Sequence, residues 1–576
     1  MTTEDDNQAR SGVGADLVIS SGAVWTGLDC PVGGTVGGGP TAIAVRGGTI
    51  TAIGSDQDVA EWIGSETLVV DAAGKRVIPG LIDSHIHAVR AGFSYLDELD
   101  WTEVYSLEHA LRTVAEAAAT RPEGEWITVM GGWHPTQFTD HKRMPTSSEL
   151  DATAPRHPVF VHPLYGHDDH AVLNATGLEA LGFGADSPDP ETGVLGRRED
   201  GTLDGTVRGL GFYQELAAVA LQPSPERAIE SSRAFFQRLA ALGLTCVVDA
   251  GGLGMGPEKY RPIRALWRRG GLPIRVRTNL GARGRGTEAA EVATWLDVLD
   301  PGIGDDLLSV LGVGEVLQFG CHDWEGMAPF PITDAAYAEL LDTMRSAAAS
   351  GWPLTIHAIL DSSVSTVLDA IEEVAAQHPV AALRWNICHA ECIEPANLAR
   401  VQRLGIGLAL QGRLSHKATV VADRWGEDVV RHAPPLGDIV DLGIPFGGGT
   451  DSTRGASYNP WNALWWFVTG RSIDDGPRRD ERHRLDRAKA LDAYTRGSAW
   501  FSFEDDRRGM LAVGADADFA ILDRDYFAVD EDDIRSLGSE LTVVAGRVVH
   551  RSGQFAALPL QDHRARPGPT EPEQAG

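Results

Sequence analysis

An apolar run that closes on His-x-His is the most chemically loaded stretch of this chain: Pro79-Gly80-Leu81-Ile82-Asp83-Ser84-His85-Ile86-His87. In a strand, residues i and i+2 point to the same side, so both imidazoles can reach one metal ion. Two histidines at this spacing also occur as a packing or surface pair, so the motif needs partners. It has them: His357 closes the run Pro353-Leu354-Thr355-Ile356, and His389 closes Trp385-Asn386-Ile387-Cys388. Residues this far apart in sequence can converge at the C-terminal mouth of a parallel barrel, where several strands end together. A further run, Ile444-Pro445-Phe446-Gly447-Gly448-Gly449-Thr450-Asp451, ends in a carboxylate after three glycines that let backbones approach closely. Alone, Asp451 reads as a helix N-cap. Beside metal-activated water, it is the group that takes a proton and passes it to a leaving group. The chemistry expected is hydrolysis.

These residues need strands to carry them. From residue 76 onward, apolar runs of strand length alternate with alanine- and leucine-rich helical stretches, the βα signature of a parallel sheet. The candidate strands are VIPGLIDSHIH, LTCVVDAGG, IRVRTNL, VGEVLQFG, PLTIHAI, LRWNICHA, IGLALQG and IPFGGGTD, which is enough for an α/β barrel of the (β/α)8 type. The segment from about 92 to 225 interrupts the rhythm with its own helix (SLEHALRTVAEAAATR) and strand (HPVFVHPL) signals, and is read as an insertion that roofs the barrel mouth. Both chain ends are β-rich with glycine turns, such as TAIAVRGGTITAIGS near the start and ELTVVAGRVVHRSG near the end, so they are expected to pair into one composite domain. The domains expected are 1–75 and 505–557 as the two parts of that β unit, 76–504 as the barrel, and 558–576 as a disordered, proline-rich tail.

With 81 acidic against 50 basic residues, the net charge is −31, a sign that repels nucleic-acid backbones and anionic lipid. Neither partner is expected. The five cysteines (Cys30, Cys246, Cys321, Cys388 and Cys392) are odd in number and too few for a disulfide framework, which points to a reducing cytoplasm. The polar start MTTEDDNQARSG has no apolar signal region, and no stretch is apolar enough to span a membrane.

The motifs VIPGLIDSHIHA, PTSSELDATAPRHPVFVHPLYGHDDHAVLN, PLTIHAILDSSV, NICHAECI, GGGTDSTRGASYNPW and RRGMLAVGADADFAILDRD together resemble the amidohydrolase superfamily, specifically its family 3 branch of N-substituted formamide deformylase-like proteins. The resemblance covers almost the whole chain. It implies a distorted (β/α)8 TIM barrel with a β-sandwich built from both termini, one or two divalent ions (most plausibly Zn2+), and hydrolysis of a non-peptide C–N bond in a small-molecule amide. By position it makes His85, His87, His357 and His389 metal ligands, and Asp451 a further ligand and the acid/base. A homo-oligomer such as a dimer also follows from it.

One position departs from the pattern. Many relatives carry a lysine near the end of the fourth strand, and here Glu315 stands there. Glu315 can bridge two ions through its two oxygens, hydrogen-bond a ligand without touching an ion, or serve structure alone. The Gly166-His167 pair matches one in the same branch, where His167 would face the substrate carbonyl; a bland surface role competes. Trp133 and Trp461 are candidate pocket walls, with core packing as the alternative, and packing is preferred for Cys388 and Cys392. An N-acyl or N-formyl amine is the expected substrate. A cyclic amide, an ammonia-releasing reaction and a non-catalytic scaffold stand behind it.

Overall fold

The computed structural model describes residues 14–28, 39–164, 170–252 and 254–563. Eight strands carry the chemistry: β1 (Leu81–Ile86), β2 (Leu244–Asp249), β3 (Arg275–Leu280), β4 (Leu308–Val313), β5 (Thr355–Ala358), β6 (Asn386–His389), β7 (Gly407–Gln411) and β8 (Phe446–Gly449). All their pairings are parallel, and they form two four-stranded sheets ordered β4-β3-β2-β1 and β5-β6-β7-β8. All except β4 are buried along their whole length, as strands covered on both faces must be. The sheets meet at an isolated parallel bridge between Val313 and Leu354. On the other side the Asp451 amide donates to the His85 carbonyl at 2.9 Å.

Two glycines set these approaches. A Cβ on Gly80 would lie 2.2 Å from the Thr245 side chain on β2, and one on Gly449 would lie 2.8–2.9 Å from His85. The apolar run therefore has to begin with glycine, and β8 has to end in glycine, for β1 to fit between its neighbours.

The fourth candidate strand is displaced. VGEVLQFG is not a strand; β4 is the preceding run LSVLGV, which pairs with β3 from Leu308 onward. After Val313 the chain leaves the ladder and puts Glu315 just beyond the strand end, where a side chain faces the mouth instead of a neighbouring sheet.

After His87 the chain enters α1 (Ala88–Ser94), and it returns to β2 through α2 (Pro225–Ala241). Between these helices lies more than one helix and one strand. The insertion holds a five-stranded sheet in the order Val194–Arg197, Leu203–Arg208, Ala171–Leu173, Val159–His162, Ile127–Met130. It also has a core of its own around Trp101, Trp133, Phe138 and Leu150.

The chain ends do pair. Arg76–Pro79 lies antiparallel to Phe519–Leu522 in a five-stranded sheet, and Leu17, Ile43 and Val45 of a second, N-terminal sheet share a core with Val77, Phe519 and Val543. That sheet runs past the boundary expected at 75, to Pro79. The tail also needs correction over 558–563. Gln561 exchanges two hydrogen bonds with the Val548 backbone (2.9 and 3.1 Å), and the His563 amide donates to Gly270. Residues 564–576 lie outside the described residues. Among the described residues no helix is long and apolar enough to cross a membrane.

Candidate metal centre

Glu315 is the carboxylate around which four imidazoles gather. Its Oε1 lies 3.2 Å from His87 Nε2. Its Oε2 lies 3.1 Å from His389 Nε2, 3.2 Å from His357 Nδ1 and 3.5 Å from His85 Nε2. Asp451 Oδ1 completes the set, 3.1 Å from His87 Nε2 and 3.6 Å from His85 Nε2. The five expected residues and Glu315 therefore converge, delivered by the C-terminal ends of β1, β4, β5, β6 and β8.

Most of these side chains are aimed by a partner. The Gln411 side-chain carbonyl accepts from His389 Nδ1 at 2.8 Å, which leaves Nε2 with a lone pair toward the centre. His87 Nδ1 bonds the Gly251 carbonyl at 3.1 Å, which turns Nε2 toward the centre. His357 is turned the other way: its Nε2 is held by the Asp323 backbone oxygen (2.8 Å) and Oδ1 (3.2 Å), so Nδ1 faces Glu315. Asp83, in the His-x-His run itself, accepts from the His85 amide and from the Thr450 amide and hydroxyl, and so fastens β1 to β8. Burial pushes its carboxyl up to about 7 despite those bonds. Asp451 is divided between two tasks. Oδ1 faces the histidines while Oδ2 accepts from Arg413 Nη1 at 2.9 Å. Arg413 Nε in turn contacts Glu325 and Glu391.

The residues present fit a divalent ion. Both His85 ring nitrogens are buried with no hydrogen-bond partner among the described residues. The separations of 3.5 and 3.6 Å to Glu315 and Asp451 are too long for hydrogen bonds. They match the edge of a tetrahedron whose ligands stand about 2.1 Å from a central ion, roughly 3.4 Å. Nitrogen and carboxylate donors suit a divalent ion. His389 and Asp451 also hold left-handed backbone conformations, with φ of 76° and 53°. That strain, of order 1 kcal/mol or more each, is held by the packing around the site.

The electrostatics are those of a site built for positive charge. Burial disfavours both carboxylates, but the imidazoles of His357, His389 and His87 around Glu315, and those of His85 and His87 with the Arg413 charge around Asp451, outweigh it and hold both well below the carboxylate range. Burial and Arg413 push His389 down to about 3. Burial also pushes the Cys388 thiol up, helped by the charge of Glu315, whose Oε2 lies 3.4 Å from the sulfur. Cys388 thus touches the centre as a neutral thiol and does more than pack.

Three expectations fare differently. His167 lies outside the described residues. Trp133 is not a pocket wall: it is fully buried, its Nε1 donates to the His162 carbonyl at 3.1 Å, and it stacks on Phe138 in the insertion's core. Trp461 takes the packing alternative, with Nε1 on the Leu242 carbonyl. The cavity beside the ligands is instead lined by His87, Arg90, Glu315, Trp324, Arg413 and Asp451, among others. Asp323, Gln411 and Arg413 went unnoticed in the sequence. Gln411 and Arg413 did carry a signal, since they close an apolar run as the histidines do.

The chain is similar to known proteins along most of its length. The model of the amidohydrolase family matches residues 68–550. The Bacillus subtilis protein YtcJ is 26% identical over 88% of this chain and 96% of its own. The N-substituted formamide deformylase of Arthrobacter pascens is 26% identical over 88% of this chain and 94% of its own. Among solved structures, a metal-dependent hydrolase from Pyrococcus horikoshii shares the fold with a TM-score of 0.64 at 21% identity, covering 90% of this chain and 99% of that one. Since the matched span contains every residue of the centre from His85 to Asp451, the chain belongs to the amidohydrolase family of hydrolytic enzymes.

Proposed function

We propose that this enzyme hydrolyses a non-peptide C–N bond of an N-acyl or N-formyl amine, using one or two divalent ions, Zn2+ by donor type, at the mouth of a distorted (β/α)8 barrel. The observation that carries the reading is the intact ring of His85, His87, His357, His389 and Asp451 around Glu315, with both His85 nitrogens unpartnered. The Val313–Leu354 bridge and the Asp451–His85 hydrogen bond support closure of the two parallel sheets into one barrel. Its relationship to a formamide deformylase favours the N-formyl amine. The free thiols of Cys246, Cys321, Cys388 and Cys392 support a reducing, cytoplasmic setting.

Bound among these residues, an ion supplies two things: acidification of a water and polarisation of the scissile carbonyl. The chain's own groups do the rest. Glu315 would help to hold the ion or ions, since Oε1 faces His87 while Oε2 faces His357, His389 and His85. Asp451 takes the proton of the attacking water on Oδ1 and returns it to the leaving nitrogen. Arg413, bonded to Oδ2, keeps the carboxylate ionised and fixes its plane between the two transfers.

The test is primary-amine release from a panel of N-formyl, N-acetyl and cyclic amides, with zinc-loaded and chelator-stripped protein. Release that requires metal is expected, with Asp451→Asn retaining metal while losing on the order of 100-fold or more in turnover. Silence from protein shown to hold its metal, or an Asp451→Asn rate near that of the parent, overturns the reading.

A further inference from the structure

The chain is strongly acidic overall, yet Arg90 brings a positive charge to the cavity wall, with two further cations near it. Arg90 lines it beside His87, Gly252 and Gly455. Arg90 and Phe93 stand three residues apart on α1 and so share a face of that helix. The Lys259 ammonium sits over the Phe93 ring, 3.8 Å from its centroid, which brings it alongside Arg90. Arg454 immediately precedes Gly455 of the cavity wall. Burial, Arg454 and Arg90 together push the Lys259 pKa down, as expected where like charges are gathered. The three cations come from the segments after β8, β1 and β2, which are neighbours in space, and Arg90 is the one of the three that lines the cavity.

The carboxylates around them are engaged elsewhere. Arg90 forms no hydrogen bond or ion pair among the described residues. Asp249, the acid that faces it, accepts from the Val89 amide (2.7 Å) and the Gly251 amide (3.1 Å). Glu315 and Asp451 serve the histidines and Arg413. Glu258, beside Lys259, pairs with Arg283 at 3.4 Å. Glu98 accepts from the Ser94 hydroxyl at 2.6 Å and pairs with Arg454 at 3.9 Å, so it reaches that cation and not Arg90. A half-buried guanidinium that makes no hydrogen bond or ion pair is an unfavourable arrangement that an incoming anion relieves.

We propose that Arg90, supported by Lys259 and Arg454, recognises an oxyanion on the substrate, so that the amides cleaved here carry a negative charge close to the scissile bond. This rests on the hydrolase reading for the substrate's amide, but not for the anion site itself. Arg90 is only three residues beyond the ligand His87, so the anion and the scissile carbonyl must be near neighbours. The planar fork of a guanidinium suits a carboxylate, and the added positive charge of Lys259 also admits a phosphonate.

The test compares matched substrates on the zinc-loaded enzyme: N-formyl- and N-acetylglycine against their neutral glycinamides, and against the corresponding aminomethylphosphonates. A hydrogen-bonded charge contact predicts a kcat/KM about 10-fold or more higher for the anionic member, and Arg90→Gln should shrink that ratio by about 10- to 100-fold, mainly through KM. Arg345→Gln, on an exposed arginine paired with Asp342 and Glu373, leaves the ratio as it was. The better of carboxylate and phosphonate identifies the oxyanion. Equal hydrolysis of neutral amides, or equal loss on both members in Arg90→Gln, overturns the proposal. If nothing is cleaved, calorimetric binding of N-acetylglycine against N-acetylglycinamide decides. Discrimination abolished by Arg90→Gln upholds the anion site and sinks the hydrolase reading, whereas equal binding sinks the anion site.

Discussion

At the scale of the residue, protons and metal compete for the same atoms. Burial disfavours charge on both His87 and His357. Asp451 and Glu315 outweigh it at His87, raising its pKa to about 9, and Asp323 and Glu315 raise His357 to about 10. At neutral pH both rings are therefore protonated when only carboxylates face them. A metal ligand must be neutral imidazole, so uptake of an ion releases these protons, and affinity rises with pH until they are gone. Titrating chelator-stripped protein with Zn2+ in two buffers of different ionisation enthalpy, near pH 7.5, should show release of about two protons per centre. Affinity should weaken as the pH is lowered. Uptake without proton release would mean that His87 and His357 are not the ligands.

At the scale of the element, the ends of strands decide what was legible in the sequence. His85, His87, His357, His389 and Asp451 could be read because each closes an apolar run, and a parallel strand can present such a residue only at its mouth. Glu315 was placed in the centre, but its strand was not: VGEVLQFG looks apolar enough to pair, yet the preceding LSVLGV takes the ladder. Gln411 and Arg413 close the apolar run of β7 as the histidines close theirs, but nothing local reveals that the guanidinium will meet Asp451. Trp133 misled for the opposite reason. An aromatic residue in polar sequence suggests a pocket wall, whereas here it fills the core of an inserted sheet whose short strands give weak signals. The triglycine of β8 is the element's own test. Gly449→Ala puts a methyl 2.8–2.9 Å from the His85 backbone and must push β8 away from β1. Overpacking of this kind costs about 1–3 kcal/mol, and it should lower metal content together with the melting temperature. A variant that melts and loads zinc as the parent does would show that the contact of β8 with β1 does not set the site.

At the scale of the whole molecule, the ends of the strands remote from the chemistry are tied to the terminal sheet. Arg275 opens β3, is almost fully buried, and forks onto Asp518 through Nε–Oδ2 (2.7 Å) and Nη2–Oδ1 (3.0 Å). Asp518 directly precedes Phe519–Leu522, the C-terminal strand that pairs with Arg76–Pro79. One ion pair thus joins the parallel strands to a sheet made from both chain ends. Burial disfavours the Asp518 carboxylate, but Arg275 outweighs it and holds its pKa below the usual value. Its contribution is therefore present at neutral pH and is lost as the pH falls through that lowered pKa. Asp518→Ala leaves the guanidinium buried with its fork unanswered, at a cost of about 3–5 kcal/mol, toward the lower figure because Asp306 still reaches Arg275. Replacing both partners, Arg275→Met with Asp518→Leu, removes the orphaned charge and should recover much of that loss. Urea unfolding of the two variants measures this, while turnover per folded, metal-loaded molecule stays at the parent's value because the candidate metal centre lies at the opposite strand ends. If Asp518→Ala unfolds where the parent does, the terminal sheet is held by its apolar core alone. If it unfolds early and also loses turnover in the folded state, the terminal sheet supports the metal centre as well as the fold.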